Sequence, residues 1–381
     1  MVASTQPPAN AFVARARKVY KAVGFSKSYN FILWFIFGGV LFAFALARLA
    51  YLDFWGRFCN PDSGHGSGAL PGECFYYTKQ KRYQIGIIVH LATVLPGSLL
   101  ACLQFVPAIR QKFMFFHCIS GYIVTLLSFA GTAAALVIAR RTAGGGVDTQ
   151  LFLGLLAICF LGSTVLAIIN VRRLQIEQHR AWIIRSWACG GVIITLRIGL
   201  IIGAIIISSI GGFYLAQPCD KINYTLNGQD ATMLFYPECA SFFSGENLDQ
   251  HAVVKANLFG DNAIEVGTSL NIVFGPAGWL ALALHLFAAE LYLRLTPAEH
   301  ERLRNVSYYR QLKAGMKNPG SAGLTADRLG DATKWIPKSK RGNVSDDDEA
   351  LKGGREVTPL PHRGPLSNKP SVNIAFSTSI S

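Results

Sequence analysis

Long apolar stretches recur along the chain between residues 30 and 293. A helix needs about 20 apolar residues to cross a hydrocarbon core ~30 Å thick, because each residue rises ~1.5 Å. Six stretches meet this requirement: 30–52, 83–107, 113–139, 150–171, 181–213 and 269–293. They are continuously apolar and lack the alternation that is typical of barrel strands. The sequence therefore predicts an all-α, polytopic membrane helix bundle with six transmembrane helices.

The composition supports a membrane protein and argues against several soluble classes. Hydrophobic residues make up 51% of the 381 positions and charged residues only 15%, whereas roughly a quarter of a typical soluble protein is charged. The chain has 36 Lys and Arg against 22 Asp and Glu, a formal net charge of +14. These charges are distributed as membrane topology demands and form no patch interleaved with aromatic residues, so we expect no nucleic-acid partner.

The apolar pattern divides the chain into four regions. A cytosolic N-terminal segment, 1–29, precedes the six-helix transmembrane domain, 30–293. Thr296-Pro-Ala-Glu299 is typical of a helix start and predicts a cytosolic amphipathic helix over 294–315. The remaining polar, proline-containing residues, 316–381, predict a disordered cytosolic tail.

The orientation follows from the basic residues in the loops. If both termini are cytosolic, the inner segments before residue 181 hold ten basic residues and one acid, and the outer loops hold eight basic and eleven acidic residues. Cytosolic loops of membrane proteins are enriched in Lys and Arg. We therefore expect cytosolic termini, a multi-pass protein of the secretory pathway or plasma membrane, and the lipid bilayer as its surroundings. The sequence names no protein partner.

The outer loops contain the residues expected to be modified. Cys59 and Cys74 share the first outer loop, and Cys219 and Cys239 share the third. Since disulfides persist in oxidising compartments, the sequence predicts one bond in each loop. The sequon Asn223-Tyr224-Thr225 lies in the third loop and predicts glycosylation of Asn223.

Polar side chains inside the predicted helices are candidate functional residues, because each costs roughly 2.5–3.5 kcal/mol on insertion scales when ionisable. They are His90, Gln104, His117, Arg185, Arg197, His285 and Glu290, with His179 and Arg180 at the inner end of the fifth helix. Glu290 is the only acid within the six predicted stretches and lies at a depth similar to Arg185, so we predict an ion pair between them. Five whole turns separate His179 from Arg197, which places them on one face.

Three stretches resemble a family of predicted membrane proteins, the domain of unknown function 2306. They are His90 to Arg110, His117-Cys-Ile-Ser-Gly-Tyr122, and His179-Arg-Ala-Trp-Ile-Ile-Arg-Ser-Trp187 with its continuation to Arg197. The long third loop and long tail resemble its fungal members. The resemblance implies a four-helix core over about 83–213 and points to His90, His117, His179, Arg185 and Arg197. It implies no established reaction.

The first functional hypothesis is a membrane-embedded site that binds or transforms an apolar or amphiphilic small molecule, isoprenoid- or lipid-like. Basic residues at the inner mouth suit a phosphate, diphosphate or acidic head group. The candidate ligand-binding residues are His90, Gln104, Arg110, His117, Arg172, Arg173, Arg180 and Arg197. The candidate catalytic residues are His179, Arg185, His285 and Glu290, which could move a proton or hold a charge. Whether the protein is an enzyme stays open.

Two other classes remain open from the sequence. Histidines on several helices suggest a haem b-binding electron carrier resembling cytochrome b561, although His90 lies near the outer side and the other candidates near the inner side. A non-catalytic transporter or scaffold is the second alternative, and the lack of a detectable repeat argues weakly against a transporter. No closely spaced set of His, Cys and carboxylate residues predicts a metal site, since His65 and His251 stand alone.

Overall fold

The computed structural model describes residues 10–60 and 68–341. Within these residues six helices are long and apolar enough to cross a membrane, which confirms the predicted number and the all-α membrane architecture. These helices are α2 (Ser28–Ala47), α4 (Lys81–Gln104), α6 (Met114–Ile138), α7 (Val147–Arg172), α8 (Ile176–Ile210) and α12 (Ala263–Arg294). His65 and most of the predicted tail, from residue 342, lie outside the described residues.

Shorter elements connect and flank the six long helices. The short helices are α1 (Ala11–Ala22), α3 (Cys74–Lys79), α5 (Pro107–Lys112), α9 (Cys219–Thr225), α10 (Gln229–Phe235), α11 (Ala240–Phe243), α13 (Pro297–Lys313), α14 (Ala326–Leu329) and α15 (Lys338–Arg341). Two strands, β1 (Tyr214–Pro218) and β2 (His251–Lys255), lie between α8 and α12. Helix α15 belongs to a separate compact unit that begins at Lys334.

Helix α8 is the centre of the largest hydrophobic core. It packs against α7 and α12, and its Val192, Leu196 and Leu200 are almost fully buried there. Close approach to α12 depends on glycine, since a Cβ on Gly203 would come 2.5 Å from Val273 Cγ1. Helix α4 packs mainly against α6. The bundle therefore joins an α7, α8 and α12 group to an α4 and α6 pair.

The loop between α8 and α12 is folded. Strands β1 and β2 pair antiparallel, with Tyr214 opposite Lys255 and Pro218 opposite His251. Cys219 and Cys239 form a disulfide bond beside the buried Ile222. The second predicted bond, between Cys59 and Cys74, is also present. Both expected disulfides are thus confirmed. The two-stranded sheet was not part of the all-α prediction. A loop that is closed by a disulfide can stabilise such a small sheet.

The chain after α13 keeps an ordered structure beyond residue 316, where the sequence predicts the tail to begin. The buried amide of Gln311 accepts from the Gly320 N–H at 2.6 Å, and that of Gln175 accepts from the Gly323 N–H at 2.7 Å. Asn170 accepts in the same way from the Leu324 N–H at 2.8 Å. The polar backbone of this segment is satisfied by side chains of the bundle, which is why a glycine-rich sequence is fixed here.

Candidate functional site

Basic side chains from three helices meet near the start of α8. Arg110 of α5 lies within electrostatic range of Arg180 on α8 and of Glu299 and Arg302 on α13. Desolvation lowers the pKa of Arg110, the charges of Arg302 and Arg180 lower it further, and Glu299 acts in the opposite direction. We call Arg110, His117, His179, Arg180, Glu299 and Arg302 the arginine cluster.

Glu299 neutralises only part of this charge. Arg302 donates to both of its carboxylate oxygens, with an Nη2–Oε1 distance of 2.7 Å and an Nε–Oε2 distance of 2.8 Å. Burial opposes the ionisation of Glu299, but the hydrogen bond from Arg302 and the charges of Arg302, Arg180 and Arg110 lower its pKa overall. Three guanidinium groups therefore share one carboxylate, and the cluster keeps an excess of positive charge.

The Arg180 side chain is fixed by hydrogen bonds to the end of α12. Its Nη2 donates to the Tyr292 hydroxyl at 3.2 Å and to the Thr296 hydroxyl at 3.3 Å. The Tyr292 hydroxyl in turn donates to Asn30 Oδ1 on α2 at 3.0 Å. Thr296 is the N-cap residue of α13, but its side chain makes no capping bond, and its hydroxyl donates instead to the Tyr292 carbonyl at 3.0 Å. The position of Arg180 is therefore set before any ligand binds.

Two of the predicted histidines belong to the arginine cluster. His117, at the start of α6, lies within electrostatic range of Arg110 and His179. The Nδ1 atom of His117 is buried and has no hydrogen-bond partner in the part of the chain that the structure describes. His179 donates through Nδ1 to the Ala167 carbonyl at 3.0 Å, so its Nε2 is the nitrogen with a lone pair. A buried polar atom without a partner is uncommon and calls for an explanation.

The predicted ion pair between Arg185 and Glu290 is confirmed. Arg185 Nε lies 2.5 Å from Glu290 Oε1, and the two side chains are 25% and 49% exposed. Glu290 thus faces outwards from the bundle. No hydrogen bond or ion pair among the described residues joins Arg185 or Glu290 to the arginine cluster, so the bonds of these two predicted catalytic residues do not bring them to His179.

His285 uses both ring nitrogens within the bundle. Its Nδ1 donates to the Ala188 carbonyl at 2.8 Å, and its Nε2 accepts from the Thr195 hydroxyl at 2.7 Å. The ring also lies against Gly191, where a Cβ would come within 3.2 Å. This residue therefore joins α8 to α12 and has no ring nitrogen left for a substrate.

The other predicted ligand-binding residues are spread over the bundle. His90 donates through Nδ1 to the Gly131 carbonyl at 2.9 Å, and Gln104 donates to the Ser120 hydroxyl at 2.5 Å. Arg172 is exposed at the end of α7, and the backbone carbonyl of Arg173 accepts from Gln311. The described contacts place none of these four with the arginine cluster.

Arg197 belongs to a second charged group, which the sequence did not predict. It lies in the second half of α8, within electrostatic range of Glu73. The buried Glu73 carboxylate accepts from the Ala143 N–H at 2.5 Å and the Leu70 N–H at 3.3 Å, and burial raises its pKa. Lys221 is also buried, and its Nζ donates to Gln217 at 2.9 Å. The only sequence signal is that Glu73 precedes Cys74 directly and Lys221 follows Cys219 by two residues.

The histidines do not supply a clear haem b site. Haem b with two axial histidines needs one on each side of the ring, with a free nitrogen directed at the iron. His285 has both ring nitrogens engaged, whereas His90, whose Nδ1 is bonded to Gly131 on α6, has only Nε2 left for a metal. His117 and His179 share their surroundings with Arg110. Among the described residues no group of three or more His, Cys, Asp and Glu could hold a metal ion.

Comparison with known proteins confirms the resemblance seen in the sequence. Residues 87–217 match the family of predicted membrane proteins DUF2306. The DUF2306 region runs from within α4 to β1, so it contains His90, Arg110, His117, His179 and Arg197. Glu299 and Arg302, which complete the arginine cluster, lie outside it. No solved structure matches the chain.

One curated relative extends the similarity beyond the DUF2306 region. The Ava biosynthesis cluster protein G of Aspergillus versicolor is 26% identical over 343 residues, which covers 78% of this chain and 98% of the relative. The two proteins are therefore similar over most of their lengths.

Proposed function

We propose that the protein binds an amphiphilic small molecule, isoprenoid- or lipid-like, whose anionic end lies in the arginine cluster. The observation that carries the proposal is the buried His117 Nδ1, which lies beside Arg110 and His179 and has no hydrogen-bond partner within residues 10–60 and 68–341. A phosphate or carboxylate oxygen would complete the hydrogen bonding of this nitrogen. The same anion would offset the positive charge of the arginine cluster that Glu299 does not neutralise.

The surroundings of the cluster suit an apolar tail. Helix α6 begins with Met114, Phe115 and Phe116, all of which are exposed beside His117. An acyl or prenyl chain would lie along this surface while its charged end stays with the arginines. The relative in Aspergillus versicolor carries the name of a biosynthesis cluster protein, and a chain that handles a small molecule fits that setting.

Binding of farnesyl diphosphate to the purified full chain in lipid nanodiscs tests the proposal. We expect farnesyl diphosphate to bind, and farnesol, which lacks the anion, and inorganic diphosphate, which lacks the tail, to bind at least about tenfold more weakly. Nanodiscs that contain phosphatidic acid test whether a lipid head group competes for the site. Competition would identify the ligand as a membrane lipid, whereas its absence would favour the soluble diphosphate.

Single substitutions locate the binding site. His117→Leu and Arg110→Gln should each weaken binding about tenfold, because each removes a polar partner of the anion. Arg172→Gln is the matched control, since Arg172 is exposed and has no described contact with the cluster. Equal affinities of all three variants and the unmodified protein, or equal binding of farnesol and its diphosphate, would contradict the proposal.

A further inference from the structure

A cavity of about 450 Å³ lies near the end of the bundle where α8 is followed by β1. Helix α3 and Arg141, which follows α6, form the part of its lining that comes from the helix bundle. The folded loop between α8 and α12 supplies the other part, from the start of α9 and the residues around the start of β2. The cavity is therefore built between two segments that their disulfides hold in place.

On the bundle side of this cavity, two basic side chains lie over aromatic rings. Phe75 and Tyr76 are buried, and both line the cavity. The Arg141 guanidinium lies 4.6 Å from the centre of the Tyr76 ring, and Lys79 Nζ lies 5.7 Å from that of Phe75. Such contacts hold cations in position without neutralising them. The Nε of Arg141 is buried without a hydrogen-bond partner among the described residues.

The loop side carries negative charge. Asp220 at the start of α9 and Asp249 before β2 line the same cavity as Arg141 and Lys79. The ion pairs found in the described part of the chain are Arg185–Glu290, Arg302–Glu299 and Arg304–Asp327, so no ion pair joins the two sides of the cavity. Opposite charges thus line one partly open space, and Lys79 and Asp249 are exposed at it.

We propose that this cavity binds a small zwitterion, a molecule with a carboxylate and an ammonium group, such as a free amino acid. Its carboxylate would bind Arg141 and Lys79, and its ammonium group would bind Asp220 and Asp249. Leu248, which also lines the cavity, offers apolar surface to its side chain. This site is separate from the arginine cluster, so neither proposal depends on the other.

Titration calorimetry with the purified full chain and three related probes tests this site. L-Phenylalanine carries both charges, N-acetyl-L-phenylalanine lacks the ammonium group, and 2-phenylethylamine lacks the carboxylate. We expect phenylalanine to bind and each analogue to bind at least about tenfold more weakly, since each loses one of the two charge contacts. Absence of binding by phenylalanine, or equal binding of either analogue, would overturn the proposal.

Substitutions of exposed residues at the cavity distinguish it from other surfaces. Lys79→Gln and Asp249→Asn should each weaken the binding of phenylalanine about threefold, as expected for exposed charge contacts. Lys255→Gln and Asp230→Asn change exposed charges of the folded loop that do not line the cavity, and they should bind as the unmodified protein does. Unchanged affinity in both cavity variants would place the zwitterion elsewhere and overturn the assignment.

Discussion

Arg185 on α8 binds Glu290 on α12 through two hydrogen bonds, one from Nε to Oε1 at 2.5 Å and one from Nη2 to Oε2 at 3.1 Å. The guanidinium also lies 4.6 Å from the centre of the Trp182 ring. Both residues belong to helices that cross the membrane, where a lone charge is costly. Pairing therefore explains how the two helices tolerate these groups.

The first prediction concerns this pair. Arg185→Met should destabilise the fold by about 2 kcal/mol, because it leaves the Glu290 carboxylate without its partner. The double variant Arg185→Met with Glu290→Leu should recover most of the loss, since it removes both charges. Thermal unfolding of the four proteins of this double-mutant cycle measures the coupling. Strictly additive effects would show that the pair contributes nothing.

The second prediction concerns Lys221, whose burial lowers its pKa to about 8. An unfolded lysine titrates at ~10.4, so between these values the unfolded chain binds more protons and stability rises with pH. The unmodified protein should therefore gain stability relative to Lys221→Met from about pH 8 to pH 9.5, and the difference should stay flat below pH 8. Thermal midpoints across this range measure it.

Lys255→Met is the control for this pH dependence, because Lys255 is an exposed lysine of the neighbouring strand. The thermal midpoint of Lys255→Met should follow that of the unmodified protein at every pH. A difference between Lys221→Met and the unmodified protein that is constant from pH 7 to pH 9.5 would contradict the assignment.

The third prediction concerns the ordered segment after α13. Arg304 Nη2 lies 2.6 Å from Asp327 Oδ1, and Ser321 donates to Asp327 Oδ2 at 2.6 Å. Asp327→Asn should weaken both contacts and loosen the backbone around Lys317 and Arg328, which are already exposed, so that trypsin cuts there faster. Asp331→Asn, which changes an exposed acid of the same segment, should be cut at the rate of the unmodified protein. Equal cleavage of both variants would argue against a role for the Arg304–Asp327 pair.

The fourth prediction concerns the packing of α8 on α12. A Cβ on Gly203 would meet Val273 Cγ1 at 2.5 Å, whereas one on Gly199 would meet the Ala277 Cβ at an ordinary 3.4 Å. Gly203→Ala should therefore be less stable than Gly199→Ala by about 1–3 kcal/mol, the usual cost of overpacking. The added Val273→Ala change should restore stability in the first variant. Thermal unfolding measures both effects, and equal midpoints for the two alanine variants would refute the packing argument.

The candidate site was only partly accessible from the sequence. Arg110, His117, His179 and Arg180 were predicted because basic and imidazole groups are conspicuous beside apolar stretches. Glu299 and Arg302 were missed, since a polar helix after the last membrane span resembles an ordinary solvated helix. The sequence predicts a catalytic role for His285, but its two hydrogen bonds depend on the contact between α8 and α12, which periodicity does not reveal.

The amino-acid pattern by itself determined the six membrane helices, because only a long apolar helix satisfies its backbone in lipid. It also determined the cysteine pairs and the Arg185–Glu290 contact, since a single acid among the spans leaves few choices. Tertiary structure alone decided where each charge goes: Arg197 towards Glu73, and Arg180 towards Tyr292. The reason is that a helix face can be read from spacing, whereas the partner on that face depends on how loops and neighbouring helices fold against it.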